Sequence, residues 1–484
     1  MSASVASRAG VLGALTAAGQ LLLVGTLPLY SRAFDPGVYG EYVIFVGSAG
    51  IVSVLAGLRY DSAVVLPRDD RVAAALTGLV LFIASIVAAL IALATLAAQA
   101  WAPGTAGSVG RHFGLGLTAA TLIGALQRCL TGWCVRDRRF MQIGVGQFGL
   151  SLVTVVAQLL LVRLIGQSPA LVWGYVVALA VQTLCLLRPD VAGVVWPRGG
   201  SWRALRIAAR KYRRFPTYMV GYALASTVRD RLIQVVLGIG AGADAVGRFG
   251  LAYRVAFAPN SLIYTAVSPI FYSIASRGGN IAVGRFAARV VETGFVMLVV
   301  PYVAFAIEAP TLTDELLSAR WHGTGPYLRA LAGPALMLAA TCWLDRAFDS
   351  FRRQNVAFVL EASFTIASVA LVAGLSRFLT PVSVVWGFAG LALIYYWSYF
   401  LMTFVACGFP LIDFRRACLT GMLTFGVALT LGALVHELQD LTLRFFSYAF
   451  LMAGVVAFWT RFRGGADILR RLMRSRVDDG DLIQ

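Results

Sequence analysis

Residues 21–46, LLLVGTLPLYSRAFDPGVYGEYVIFV, and residues 228–253, VRDRLIQVVLGIGAGADAVGRFGLAY, fall into register when Gly40 is laid on Gly247. In each, an apolar helix runs to a short Asp-containing turn, and a glycine with an aromatic neighbour opens the helix that returns. An apolar hairpin that recurs within one chain is the mark of a protein built from repeated bundles. The surrounding composition decides what those bundles face. Of 484 residues, 59% are hydrophobic and 13% charged, with a mean hydropathy of +0.78. That balance leaves too little polar surface for a water-soluble domain and predicts a polytopic membrane protein.

A bilayer core about 30 Å thick takes roughly 20 apolar residues per helix. Fourteen such spans are predicted, at 9–30, 42–58, 73–98, 113–133, 141–165, 170–187, 216–240, 249–274, 286–307, 327–345, 356–375, 381–407, 417–436 and 443–460. The runs are apolar at consecutive positions and rich in Gly and Ala, which fits packed helices and excludes the polar-apolar alternation of a barrel. The expected fold is therefore all-α.

Basic residues set the orientation. Most of the 41 fall in every second loop, around 59–71, 136–139, 188–214, 277–289, 346–353, 415–416 and 461–476. Basic loops stay in the cytoplasm, so both termini are expected there and the number of spans is even. This distribution also accounts for the net charge of +18 and the pI near 10.2 without nucleic acid as a partner. Residues 202–214, WRALRIAARKYRR, set Arg203, Arg206, Arg210 and Arg213 at helical spacing against Trp202, Leu205, Ala209 and Tyr212. That is the pattern of an interfacial helix on the cytoplasmic leaflet. Residues 466–476 repeat it before an acidic tail, which is expected to be disordered.

The six cysteines fall in the half predicted to face the cytoplasm, so no disulfide is expected. None has metal-ligand spacing. Ser31 and Ala33 mimic a signal-peptidase site, but the repeat partner of this segment argues against cleavage. The long basic stretch divides the spans into six and eight. The expected organisation is an N-lobe at 1–187, a cytoplasmic linker at 188–215, a C-lobe at 216–407, two extra helices at 408–460 and a cytoplasmic tail at 461–484. Both lobes begin with an outward helix, which makes the repeats parallel, related by an axis normal to the membrane.

Against this background Arg229, Asp230 and Arg231 stand inside an apolar span. A helix entering at Pro216 carries Arg229 about 20 Å inward at 1.5 Å per residue. Charges at such depth cost at least ~2.5–3.5 kcal/mol each, so they face a protein interior or a water-filled cavity. Arg254 on the returning helix is as far from the turn near Gly242 as Arg231 is, which predicts nearly equal depth for the two. Asp230 neutralises one arginine. The surplus suits an anion of about two charges, and the alternative is a set of ion pairs that lock the hairpin.

Four segments carry a family resemblance: PLYSRAFDPGVYGEY at 28–42, LRYDSAVVLPRDD at 58–70, YRRFPTYMVGYALAS at 212–226 and VGRFGLAYRVAFAPNSLIYTAVSPIFY at 246–272. They resemble the Wzx-type oligosaccharide-lipid flippases of bacterial polysaccharide biosynthesis, in the superfamily that also holds the multidrug and toxin extruders and the lipid II flippases. The resemblance is diffuse and runs over roughly residues 8–460. It implies two lobes around a central cavity that opens to each side in turn. It also implies cavity arginines that hold a lipid pyrophosphate or an acidic sugar, here Arg229, Arg231 and Arg254. The first lobe departs from a symmetric clamp, because the repeat lays Leu22, Val24 and Gly47 opposite those arginines.

At the cytoplasmic mouth Arg59, Asp61 and Arg128 are candidates for first contact with the pyrophosphate, with local ion pairing as the alternative. Glu292 and Glu361 each lie about seven residues inside a span. They can either couple transport to an ion or pair with an arginine such as Arg289 or Arg353. The expected cargo is a polyprenyl-pyrophosphate oligosaccharide, moved by alternating access at the bacterial inner membrane. Membrane lipids and the polysaccharide polymerase and export machinery are the expected partners, and no cofactor is expected. An ion-coupled exporter of the same superfamily would carry an acidic cavity. A glycosyltransferase or polymerase would usually need a larger external loop than 308–326, where Asp314, Glu315 and His322 are either a site or part of a solvated loop.

Overall fold

The computed structural model describes residues 3–67, 69–101, 108–187, 202–213, 215–275 and 278–462. Residues 466–476 and the acidic tail lie outside these, as do the side chains of Arg229 and Asp230. Among the described residues the regular structure is helical, with seventeen α-helices and no strand. Eleven are long and apolar enough to cross a bilayer, or twelve when the bent pair Val11–Gly25 and Leu27–Ala33 is one span. The protein is an all-α, multi-pass membrane protein.

The first expected span, 9–30, is not one straight helix. α1 (Ala3–Gly25) gives way at Thr26 to α2 (Leu27–Ala33), and the two are bent by 42°. Pro28 lacks the N–H that would continue the ladder, and a helix must start anew around it. Asp35 then caps α3 (Pro36–Gly57) in extended conformation with Pro36 in the first turn, and α3 ends where Leu58 turns left-handed. α4 (Tyr60–Ala63), α5 (Asp70–Trp101), α6 (Ser108–Arg136), α7 (Phe140–Ile165) and α8 (Gln167–Leu186) follow. α9 (Trp202–Lys211) is the predicted amphipathic helix.

After a π-helical turn at Phe215–Met219, α10 (Val220–Ala275) joins the expected spans 216–240 and 249–274. It breaks at Gly242, whose φ of 85° only glycine adopts without strain. α11 (Asn280–Leu316), α12 (Gly325–Thr341), α13 (Asp345–Ser350), α14 (Gln354–Leu375), α15 (Pro381–Ala406), α16 (Leu411–His436) and α17 (Leu441–Phe462) complete the chain. The apolar part of α17, Thr442–Ala457, is shorter than the other spans.

The chain packs as two compact units, one from Arg8 to Gly250 and the other from Leu251 onward. The division falls inside α10 and not at the linker. The reason is visible in the first unit, where α3 lies against the stretch of α10 on both sides of Gly242. A Cβ on Gly40 would fall inside the Ala243 carbonyl oxygen and reach 2.9 Å from the Gly247 nitrogen. A Cβ on Gly247 would do the same to the Pro36 carbonyl and come within 3.1 Å of the Gly40 nitrogen. The contact is reciprocal in the register of the repeat, with Gly40 matched to Gly247 and Pro36 to Ala243, as a local two-fold axis requires. The same register lays Asp35, the cap of α3, on Gly242. Both glycines lie inside their returning helices, not at the openings.

Elsewhere in this unit α7 and α8 are joined by Gln158, fully buried, which accepts from the Tyr30 hydroxyl and donates to the Leu171 carbonyl at 2.7 Å. α9 packs on α5, where Leu205 lies against Gly78 and the Trp202 ring meets Phe82 edge-on at 5.1 Å. In the second unit, α11 continues through Pro301 and Pro310 and packs against α12, α16 and α17. Near its end Glu308 is 1% exposed. It pairs with Arg444 at 3.0 Å and His436 at 2.9 Å, and the Tyr448 hydroxyl donates to it at 3.2 Å. These contacts tie α16 and α17 to α11.

Two outcomes follow for stability. Gly40→Ala and Gly247→Ala each force backbones apart, an overpacking cost at or above the usual ~1–3 kcal/mol, while Gly149→Ala, with open space around its Cβ, leaves stability unchanged or higher. Thermal unfolding of the purified variants checks this order. Arg444→Leu strands the Glu308 carboxylate and should cost about 3–5 kcal/mol; the double variant Arg444→Leu/Glu308→Gln should recover most of that loss in the same assay.

Candidate functional site

α3 offers one face of small residues, Gly47, Gly50, Ser53 and Gly57, spaced by three or four so that they share a side of the helix. Three arginines are distributed along it. Arg231, from the first arm of α10, lies over the inner part: a Cβ on Gly50 would stand 3.7 Å from its Nε, and one on Gly47 3.8 Å from its Cβ. Arg128, from α6, donates from Nη2 to the Ser53 carbonyl at 2.9 Å. Its Nε sits 3.6 Å from Asp61 Oδ2. Arg59 occupies the turn between α3 and α4, within electrostatic reach of Arg128. Its Nε is buried and makes no hydrogen bond among the described residues.

The Arg59 turn is not a relaxed one. Leu58 and Arg59 both have positive φ, 41° and 59°, which costs roughly 1–2 kcal/mol per residue for a side chain with a Cβ. The neighbours hold it. Asp61 is pinned to Arg128, and the Tyr60 hydroxyl donates to the Ala209 carbonyl of α9 at 3.2 Å. Burial raises the Tyr60 phenol above its ordinary value, so it remains a donor at neutral pH.

The other wall is aromatic. Tyr175 of α8 lies within electrostatic reach of both Arg128 and Arg231, and its ring meets Phe45 at 6.0 Å and Tyr42 at 6.4 Å. Among the described side chains the group holds three guanidiniums against the Asp61 carboxylate, a surplus of two positive formal charges. Such a surplus in a low-dielectric site is matched by a doubly charged anion with several acceptor oxygens, for which guanidinium geometry is suited.

Of the residues expected at the site, Arg59, Asp61, Arg128 and Arg231 come together in the first unit. Arg254 lies in the second unit, half-buried on α10. For Arg229 and Asp230 the backbone is helical and the side chains are outside the described residues. Glu292 is buried and faces Arg416 of α16 at 3.3 Å. Glu361 is buried on α14. Asp314 and His322 form an exposed pair at 2.7 Å.

Three features of the structure are absent from the sequence reading. The first is the small-residue face of α3 with Tyr175 opposite, whose signal was the three-to-four spacing of Gly and Ser. The second is a polar cluster in the second unit. Arg346 donates to the Tyr264 hydroxyl at 2.8 Å and to the Ser268 hydroxyl at 3.1 Å, and Tyr264 donates to Asp345 at 3.0 Å. Asn260, one helical turn before Tyr264, is buried with both amide atoms unpartnered among the described residues. The third is an apolar groove of about 1100 Å³ between α16 and α17, lined by Val296, Leu423, Val427, Leu431, Phe450 and Trp459 among others.

The comparisons with known proteins agree with this architecture. The lipid II flippase MurJ, in an inward closed conformation, superposes with a TM-score of 0.70 at 10% identity, over 93% of this chain and 98% of that one. An inward-facing multidrug resistance MATE family transporter of the MOP superfamily gives 0.59 at 15% identity, over 84% and 98%. A Vibrio cholerae MATE transporter gives 0.55 at 16%, over 83% and 97%. The likeness is one of fold, shared with these transporters. No curated protein sequence matches the chain. A model of the family described as polysaccharide biosynthesis protein matches residues 31–326, more than half of the chain, and the protein belongs to that family.

Proposed function

We propose that the protein flips a polyprenyl-pyrophosphate-linked oligosaccharide from the cytoplasmic to the outer leaflet of the bacterial inner membrane, with both of its termini cytoplasmic. The observation that carries this reading is the surplus of two positive charges among Arg59, Arg128, Arg231 and Asp61 along α3. A diphosphate presents about that charge and enough oxygens to engage three guanidiniums. Arg59 stands in the turn at the basic end and meets the head first, Arg128 holds it, and Arg231 receives it deeper in the membrane. Arg229, two residues before Arg231 on the same arm of α10, remains a further candidate; Arg254 is a separate candidate in the second unit. Alternating access moves the head across, and any coupling ion must bind the two states with different affinity.

The groove between α16 and α17 suits the prenyl chain. Its lining is apolar, and its volume is of the size expected for a large lipophilic ligand. A prenyl chain held there stays in an apolar environment, at no cost in exposed hydrocarbon.

The ion-coupled exporter is the second reading, and the cluster of Asn260, Tyr264, Asp345 and Arg346 favours it. Asn260 is buried there, while Asp345 and Arg346 are partly exposed and open to an ion from solution. The two readings are compatible if this cluster, Glu292 or Glu361 supplies the coupling while the α3 arginines hold the cargo.

Complementation of a flippase-deleted host tests the cargo reading. Arg59→Gln and Arg231→Gln should each lower surface polysaccharide roughly tenfold or more at equal membrane abundance, the loss of one charge-assisted contact, with lipid-linked units accumulating inside. Arg128→Gln alone leaves the buried Asp61 unpaired, so it is read in the double variant with Asp61→Asn. Normal polysaccharide from Arg59→Gln and Arg231→Gln together contradicts the anion site. For the groove, Val427→Trp or Leu431→Trp should slow transport of long-chain polyprenyl cargo while leaving short-chain analogues unaffected, and an equal effect on both chain lengths rejects the tail assignment.

A further inference from the structure

We propose that α9 is a sensor of anionic lipid that sets the conformation of the Arg59–Asp61 turn. α9 has two faces with different tasks. Ala208 is buried, and Leu205, Ala209 and Tyr212 are partly buried with it in the core built by α5 and α6. These four positions follow helical spacing and fix one side of the helix to the membrane-spanning bundle. Arg203, Arg206, Arg210, Lys211 and Arg213 are exposed. One large apolar side chain accompanies them, Ile207 at 58% exposed, while Trp202, on the bundle side against Phe82, leaves part of its indole uncovered at the helix start.

That combination selects the occupant of the outer face. Basic groups on both sides of an exposed Ile, with the uncovered edge of the Trp202 indole at their margin, match the headgroup region of a bilayer, where apolar side chains enter the acyl boundary and cations meet phosphates. Each Lys or Arg near an anionic leaflet gains about 1 kcal/mol of attraction. Five of them make the attachment depend on the content of anionic phospholipid, not on bilayer thickness or fluidity.

The consequence reaches the arginines because α9 touches the turn that carries one of them. The Tyr60 hydroxyl donates to the Ala209 carbonyl, and Tyr60 packs in the same core as Ala208. Tyr60 stands between Arg59, held left-handed, and Asp61, paired with Arg128. A turn with two strained residues in succession keeps its shape only while its surroundings enforce it. Anionic lipid that seats α9 thereby holds Arg59 and Asp61 in place, and neutral lipid releases them. This goes beyond the flipping reading and does not require it, since the lipid contact and the turn are observable without cargo.

Hydrogen-deuterium exchange of the full-length protein in nanodiscs tests it, with phosphatidylcholine alone compared with a mixture containing phosphatidylglycerol. Amides of 202–213 and of 58–63 should exchange about tenfold or more slowly in the anionic discs, as expected from several headgroup contacts acting together. The variant Arg203→Gln/Arg206→Gln/Arg210→Gln/Lys211→Gln should lose the difference in both segments. Tyr60→Phe should keep it in 202–213 and lose it in 58–63. Equal exchange in the two lipids, or full lipid dependence retained by the fourfold variant, overturns the sensor. Lipid dependence of 58–63 that survives Tyr60→Phe overturns the coupling. A failure of polysaccharide complementation would not bear on any of these readouts.

Discussion

Backbone meeting backbone at Gly40 and Gly247 is the contact on which the first unit depends. Any side chain at either position would occupy the space of a carbonyl oxygen from the other helix. In a bilayer the hydrophobic effect does not drive helices together, and close approach of small residues supplies the attraction instead. Because the approach is so close here, the whole first arm of α10 is drawn along α3. Gly238 packs on Ile44, and Arg231 lies over Gly47 and Gly50. The glycine contact therefore decides where a charged side chain sits inside the membrane.

The charge then needs compensation, and the structure gives it only in part. Arg128 has Asp61 and the Ser53 carbonyl. Arg231 stands within an apolar span, where even one charge is disfavoured. The second unit shows the contrast. Glu308 is met by Arg444, His436 and Tyr448, a satisfied network that secures α16 and α17. The first unit gathers arginines along α3, and the second pairs Glu308 with Arg444 and His436.

Much of the fold was legible because membrane helices announce themselves by length and apolarity. The register of the repeat was legible too, since Gly40 and Gly247 stand in similar surroundings, although their contact with each other was not. The bend at Thr26 escaped because residues 9–30 are apolar throughout and Pro28 sits near the edge of the predicted span. The site was half legible. Arg59, Asp61, Arg128 and Arg231 stand out as charges within or beside apolar runs, but sequence gives depth along a helix and not the direction a side chain faces. Arg231 was therefore matched with Arg254 by its distance from the turn, while within its own unit it lies over α3. Arg128 finds Ser53 from 75 residues away, and no local pattern encodes that meeting.

The central claim is that α3 carries a site for a diphosphate. Binding of polyprenyl pyrophosphate and of the corresponding monophosphate to the purified protein, measured by calorimetry over a range of salt concentrations, tests it most directly. The account predicts at least tenfold tighter binding of the pyrophosphate, weakened by salt and lost in Arg59→Gln/Arg231→Gln. Equal affinity for the two lipids, unchanged in that variant, would contradict it.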